Sequence, residues 1–147
     1  MGARLLSSLT FLLWLAATPS PASALSCNTG PYIVFFDWDD DTILPDAERV
    51  LANVVAARGN CGVAELQAAG HADRSGGADY NRDLSQRRID AVRAWLRREN
   101  YPVTEMLDRP FGESVARIPT ADGVREAQNR RVELVFAPAP EQPAPSN

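Results

Sequence analysis

Between Tyr32 and Phe136 the apolar residues change their spacing in a fixed order, and that order limits the fold more than any other feature of the chain. Tyr32-Ile33-Val34-Phe35-Phe36 is a continuous β-prone run bounded by Gly30-Pro31 and by the acids that begin at Asp37. It reads as a buried strand. From Pro45 to Arg58 the apolar positions are Ala47, Val50, Leu51, Val54 and Val55, the spacing of one helical face. Pro45 suits the first helical turn, and Gly59 stands where a left-handed residue would end the last. Val63 to Ala69 forms a second strand that runs into Gly70-His71-Ala72-Asp73, and Arg74 to Asp79 is a loop around Ser75-Gly76-Gly77. A longer helix covers Tyr80 to Glu99. Met106–Phe111 and Arg130–Phe136 supply two further strands, the last alternating Val132, Leu134 and Phe136. This order, β-α-β-α-β-β, predicts an α+β two-layer sandwich with the helices packed on one face of a mixed sheet.

The flanks read differently. Residues 1–24 have the form of a cleaved signal peptide: Arg4, an apolar stretch from Leu5 to Ala17, then Ala22-Ser23-Ala24. The apolar stretch is well short of the roughly 20 residues that span a bilayer, and no later segment comes closer. The expected product is an exported domain over residues 25–136, followed by a disordered Pro-rich tail over 137–147. Export bears on the two cysteines, because an even count outside the cytosol favours a disulfide between Cys27 and Cys61. Lipidation of Cys27 is the competing reading, although Leu25 lies too close to the cysteine for the usual lipoprotein signal; free thiols are the third. If the first two strands are parallel, both cysteines lie at the same edge of the sheet.

One residue of the second helix is out of place. With Leu84 at zero and about 100° per residue, Arg88 falls at about 40°, between Trp95 at about 20° and Val92 at about 80°. Arg82, Arg87, Arg93, Arg97 and Arg98 fall on the opposite, solvent face. A guanidinium in the apolar arc must snorkel, pair with a carboxylate or bind an anion. The strand ends bring Asp37, Asp39 and Asp73 towards the first turns of the same helix, where ligands of β-α-β sheets collect. A carboxylate facing a guanidinium suits a zwitterion such as an amino-acid head.

Three ordered blocks carry a family resemblance: Gly70-His71-Ala72-Asp73, then Tyr80-Asn81-x-x-Leu84-Ser85-x-x-Arg88, then Asn129-Arg130-Arg131-Val132-Glu133. Together with Phe36-Asp37-Trp38-Asp39, they resemble the OmpA-like C-terminal domain, whose relatives include the peptidoglycan-associated lipoprotein Pal and the periplasmic domain of MotB. The resemblance covers roughly residues 32–136. It implies non-covalent binding of cell-wall peptidoglycan through the diaminopimelate of the stem peptide, in the periplasm, with or without attachment to the outer membrane. By that resemblance Asp73 accepts from the ligand's ammonium and Arg88 forks onto its carboxylate, while Asp37, Asn81, Tyr80 and Leu84 line the pocket. Two positions depart from the usual pattern. Ala72 replaces a threonine, and Leu44 stands where Ser or Thr often caps the first helix, which weakens that helix start.

Other function classes find less support. All fifteen basic residues are arginine, the net charge is −4, and Asp83, Asp90 and Glu99 interleave with the helix arginines, so no basic face for nucleic acid forms. His71 is the single histidine, which excludes a two-histidine metal site, and no nucleophile-elbow spacing surrounds Ser75 or Ser85. The expectation is a binding protein that is not an enzyme, with no cofactor and no metal. A wall-directed hydrolase using Asp37, Asp39 and Asp73, and an adaptor for outer-membrane or other envelope proteins, are the alternatives.

Overall fold

A computed structural model of the chain describes residues 27–61 and 65–137. Four strands, β1 (Tyr32–Phe35), β2 (Glu65–His71), β3 (Met106–Gly112) and β4 (Arg131–Ala137), form one sheet in the order β1-β4-β2-β3. β4 is antiparallel to both β1 and β2, and β3 is parallel to β2. Helices α1 (Pro45–Cys61) and α2 (Ala78–Arg98) make up the second layer. The expected α+β sandwich on a mixed sheet is therefore the fold, with β4 inserted between the parallel strands β1 and β2.

Alternation places Leu66 and Ala68 of β2, and Val132, Leu134 and Phe136 of β4, on the helix side with Val34 of β1. They meet Leu51 and Val54 of α1 and Ile89, Val92 and Leu96 of α2 to form the core. Gly70 lets α2 approach β2 closely, since a Cβ there would lie 2.4 Å from the carbonyl oxygen of Ser85.

Several boundaries differ from the expectations. Phe36 lies just beyond β1, although its N–H still donates to the Arg130 carbonyl at 3.0 Å. β2 continues to His71. Gly59 does not end α1; the helix runs on to Cys61, where the Cys27–Cys61 disulfide closes. The residue that does end a helix in the left-handed region is Asn100 after α2, at φ 59°. The N–H groups of Asn100 and Tyr101 donate back to the carbonyls of Arg97 and Leu96 at 3.1 and 2.9 Å, the Schellman pattern. Leu44 supplies no side-chain cap to α1, and its carbonyl accepts from Glu48 N–H at 3.0 Å. Arg93 is not a solvent-face residue: it is half-buried, pairs with Asp108 of β3 and donates to the Val103 carbonyl at 3.3 Å. Ala137 belongs to β4, and the rest of the expected tail and the expected signal peptide lie outside the described residues. Among the described residues no helix is long and apolar enough to cross a membrane.

Candidate functional site

The carboxyl ends of β1 and β2 face the first turns of α2, and a cavity of about 90 Å³ lies between them. Five of the six predicted site residues line it: Asp73, Tyr80, Asn81, Leu84 and Arg88. Asp37 is the exception. Its side chain is exposed outside the cavity, and only its backbone carbonyl joins the cluster. Asp39 instead lines the cavity and accepts a hydrogen bond from the Tyr80 hydroxyl, which raises the pKa of that phenol.

Arg88 has no exposed surface. Its Nε donates to the Asp40 carbonyl at 2.9 Å, Nη1 to the His71 carbonyl at 3.0 Å and Nη2 to the Asp37 carbonyl at 3.0 Å. The guanidinium also lies over the Phe36 ring, 5.2 Å from its centre. The placement that looked anomalous on the helical wheel thus fastens α2 to the ends of both parallel strands through main-chain oxygens. Burial, and next the neighbouring Arg130, lower its pKa to about 10, so it stays charged at neutral pH. Three of the five N–H donors of the guanidinium are thereby used on main-chain carbonyls.

Asp73, two residues beyond β2, is 3 % exposed. Its Oδ1 accepts from the Ser75 hydroxyl at 2.6 Å and the Ser75 N–H at 3.2 Å. Its Oδ2 accepts from Arg130 Nη1 at 3.1 Å and the Glu126 N–H at 3.2 Å. Burial alone would raise the pKa, but these hydrogen bonds outweigh it and hold the carboxyl below its usual range. Asn81 is buried and donates to the Asp73 carbonyl at 3.0 Å, which fixes the turn that presents the carboxylate.

Trp38, Ser75 and Arg130 also line the cavity and were not among the predicted site residues. Trp38 Nε1 donates to Ser75 Oγ at 3.0 Å, so indole, hydroxyl and Asp73 carboxylate form a chain. Arg130 donates from Nε to the Phe36 carbonyl at 3.1 Å and reaches Asp73 from the start of β4. Both Trp38 and Arg130 lie inside the motif blocks, and that proximity was the available signal. His71 is elsewhere: buried, stacked on Phe111 with ring centres 5.4 Å apart, and paired in register with Arg131. Burial, reinforced by Arg131, lowers its pKa to about 4. Among the described residues no three metal-ligating side chains cluster.

The Asp73 carboxylate and the Arg88 and Arg130 guanidiniums thus meet around one cavity of a small α+β module. The OmpA family matches residues 35–131, and the chain belongs to that family. It is 33% identical over 122 residues to the peptidoglycan-associated lipoprotein of Brucella melitensis, covering 82% of this chain and 71% of that one. It is 33% identical over 111 residues to an outer membrane protein of Gluconacetobacter diazotrophicus, covering 71% of this chain but only 29% of the longer protein. Among solved structures, the peptidoglycan-associated lipoprotein of Burkholderia pseudomallei superposes with a TM-score of 0.65 at 25% identity, over 80% of this chain and 97% of that one. The C-terminal domain of Helicobacter pylori MotB shares the fold, with a TM-score of 0.64 at 16% identity over 76% and 87% of the two chains.

Proposed function

We propose that this protein binds peptidoglycan non-covalently in the bacterial cell envelope, by gripping the amino-acid head of the diaminopimelate in the stem peptide. The observation that carries the reading is the pairing, around one cavity, of the Asp73 carboxylate, held ionised by its hydrogen bonds, with the buried Arg88 guanidinium. In this reading the ligand carboxylate lies against the Arg88 end of the cavity, drawn by the guanidinium charge. The ligand ammonium goes to Asp73, where it displaces or shares the position of Arg130 Nη1. Two relatives whose names place them at peptidoglycan or the outer membrane support an envelope location, which in this reading is the periplasm.

Binding fits these residues better than catalysis does. The one histidine is buried away from the cavity, and the Ser75 hydroxyl is committed to Asp73.

Co-sedimentation with purified sacculi tests the proposal. The wild-type protein is expected in the pellet, and free meso-diaminopimelate is expected to release it. Asp73→Asn and Arg88→Lys, checked for folding by circular dichroism, are expected in the supernatant. Wild-type protein that stays soluble would refute wall binding, and variants that pellet like wild type would refute the assigned grip.

A further inference from the structure

We propose that Trp38 is a stacking platform for a sugar ring of the glycan to which the bound stem peptide is attached, with Tyr80 forming the facing side of the mouth. This rests on the peptidoglycan reading above and extends it from the peptide to the saccharide.

Size limits what the cavity can enclose. About 10–15 Å³ of such space holds one water, so a cavity of about 90 Å³ accepts a group of several heavy atoms, the size of an amino-acid head. Everything else on the ligand lies across the mouth. Trp38 and Tyr80 stand there, both lining the cavity and both 47 % exposed.

Both rings are held in place without being packed in the core. The Trp38 indole N–H is fixed by Ser75 Oγ at 3.0 Å, and the Tyr80 hydroxyl by Asp39. The Arg125 guanidinium lies 3.5 Å from the centre of the Trp38 ring, and Arg87 lies 5.4 Å from that of Tyr80. Each aromatic is therefore ordered before a ligand arrives, which lowers the entropy cost of binding. Large exposed apolar rings beside a polar cavity mark a binding surface rather than a folding need.

Trp38 and a sugar also match in chemistry. A pyranose presents a flat face of C–H groups edged by hydroxyls. The Arg125 guanidinium covers one face of the Trp38 ring, and the opposite face is the flat apolar surface assigned to the sugar, with the Arg125 N–H groups beside it for sugar hydroxyls. An extended peptide backbone has no comparable flat apolar face.

Calorimetry with two ligands tests this: the free stem tripeptide ending in meso-diaminopimelate, and the same tripeptide on an N-acetylglucosamine–N-acetylmuramic acid disaccharide. Wild type is expected to bind the disaccharide form about fivefold to tenfold more tightly. Trp38→Ala is expected to bring that ratio close to one while leaving the free tripeptide within about threefold of wild type. Trp38→Phe keeps a ring but loses the bond to Ser75, and is expected to retain most of the ratio. A ratio that survives Trp38→Ala overturns the platform. So does an equal weakening of both ligands in both variants, which would mean that Trp38 acts only through Ser75 and Asp73. Equal wild-type affinity for the two ligands removes the platform and leaves the peptide reading standing, whereas binding of neither removes both.

Discussion

Arg88 donates from Nη1 to the main-chain oxygen of His71 at 3.0 Å, two residues before Asp73. The cation at the cavity wall is thereby bonded to the strand end that carries the carboxylate facing it. Spacing between the two charged groups is set by the backbone and does not depend on a salt bridge between them. Asp73 takes its own ion pair from Arg130.

That arrangement makes Arg88→Lys a severe change. An ammonium is a point charge on a shorter reach and cannot serve three carbonyls that a planar guanidinium spans. A loss of about 2–4 kcal/mol is expected from the buried acceptors left unpaired. Urea denaturation measures it, and a loss below about 1 kcal/mol would show that the three carbonyls do not depend on the arginine.

His71 sets an acid limit. Its folded pKa of about 4 lies below the ordinary value of 6.5, so the fold favours the neutral imidazole. Stability is complete above pH 6.5 and falls as the unfolded chain takes up a proton that the native chain refuses, until about pH 4. The full loss over that window is about 3 kcal/mol. His71→Phe, which preserves stacking on Phe111, is expected to flatten the acid branch. Because the chain has one histidine, its imidazole resonances report the titration directly by NMR. A midpoint above about 6 would contradict the buried environment.

The Cys27–Cys61 bridge closes a separation of 34 residues. In the chain-entropy account such a closure contributes about 3–4 kcal/mol. Thermal unfolding with and without reductant, or of the Cys27→Ser, Cys61→Ser double variant, is expected to show that difference. An unchanged transition would mean that the bridge adds nothing to the folded state.

Gly70→Ala tests the contact between layers. The added methyl carbon would fall 2.4 Å from the Ser85 carbonyl oxygen and 3.0 Å from Ile89. The obstacle is backbone on one side, so α2 must shift, at an expected cost of about 1–3 kcal/mol. Because Arg88 lies one turn beyond Ser85 on α2, wall binding is expected to weaken as well. A Gly70→Ala variant with wild-type urea midpoint and wild-type sedimentation would show that the helix has room to spare.

Element order and type were legible because apolar spacing records which face each segment buries, as Val132, Leu134 and Phe136 do on β4. Arg88 was legible for the same reason, since its angular position on α2 contradicted its charge. The neighbour of β4 could not be read from periodicity: alternation tells which face is buried and is silent on which strand lies alongside. Gly59 misled because a glycine permits a helix end without compelling one, and α1 runs on to the bridged Cys61. Asp37 and Asp39 were equally good carboxylates in sequence. The turn after β1 sends only the second towards Tyr80. Trp38 and Arg130 were missed because each holds its place through a long-range bond, to Ser75 and Asp73 respectively.

The cavity and the disulfide lie at opposite ends of the strands. Near Cys27, the Thr29 carbonyl accepts from Phe136 N–H, and Ala137 pairs with Glu65 at that same far end. Tension applied between a ligand in the cavity and either end of the described chain therefore runs along the strands. It loads the β1–β4 and β2–β4 hydrogen bonds, which cross the strands at right angles, in shear across the whole ladder rather than one after another. A domain wired in this way resists being pulled apart along its strand axis far better than across it.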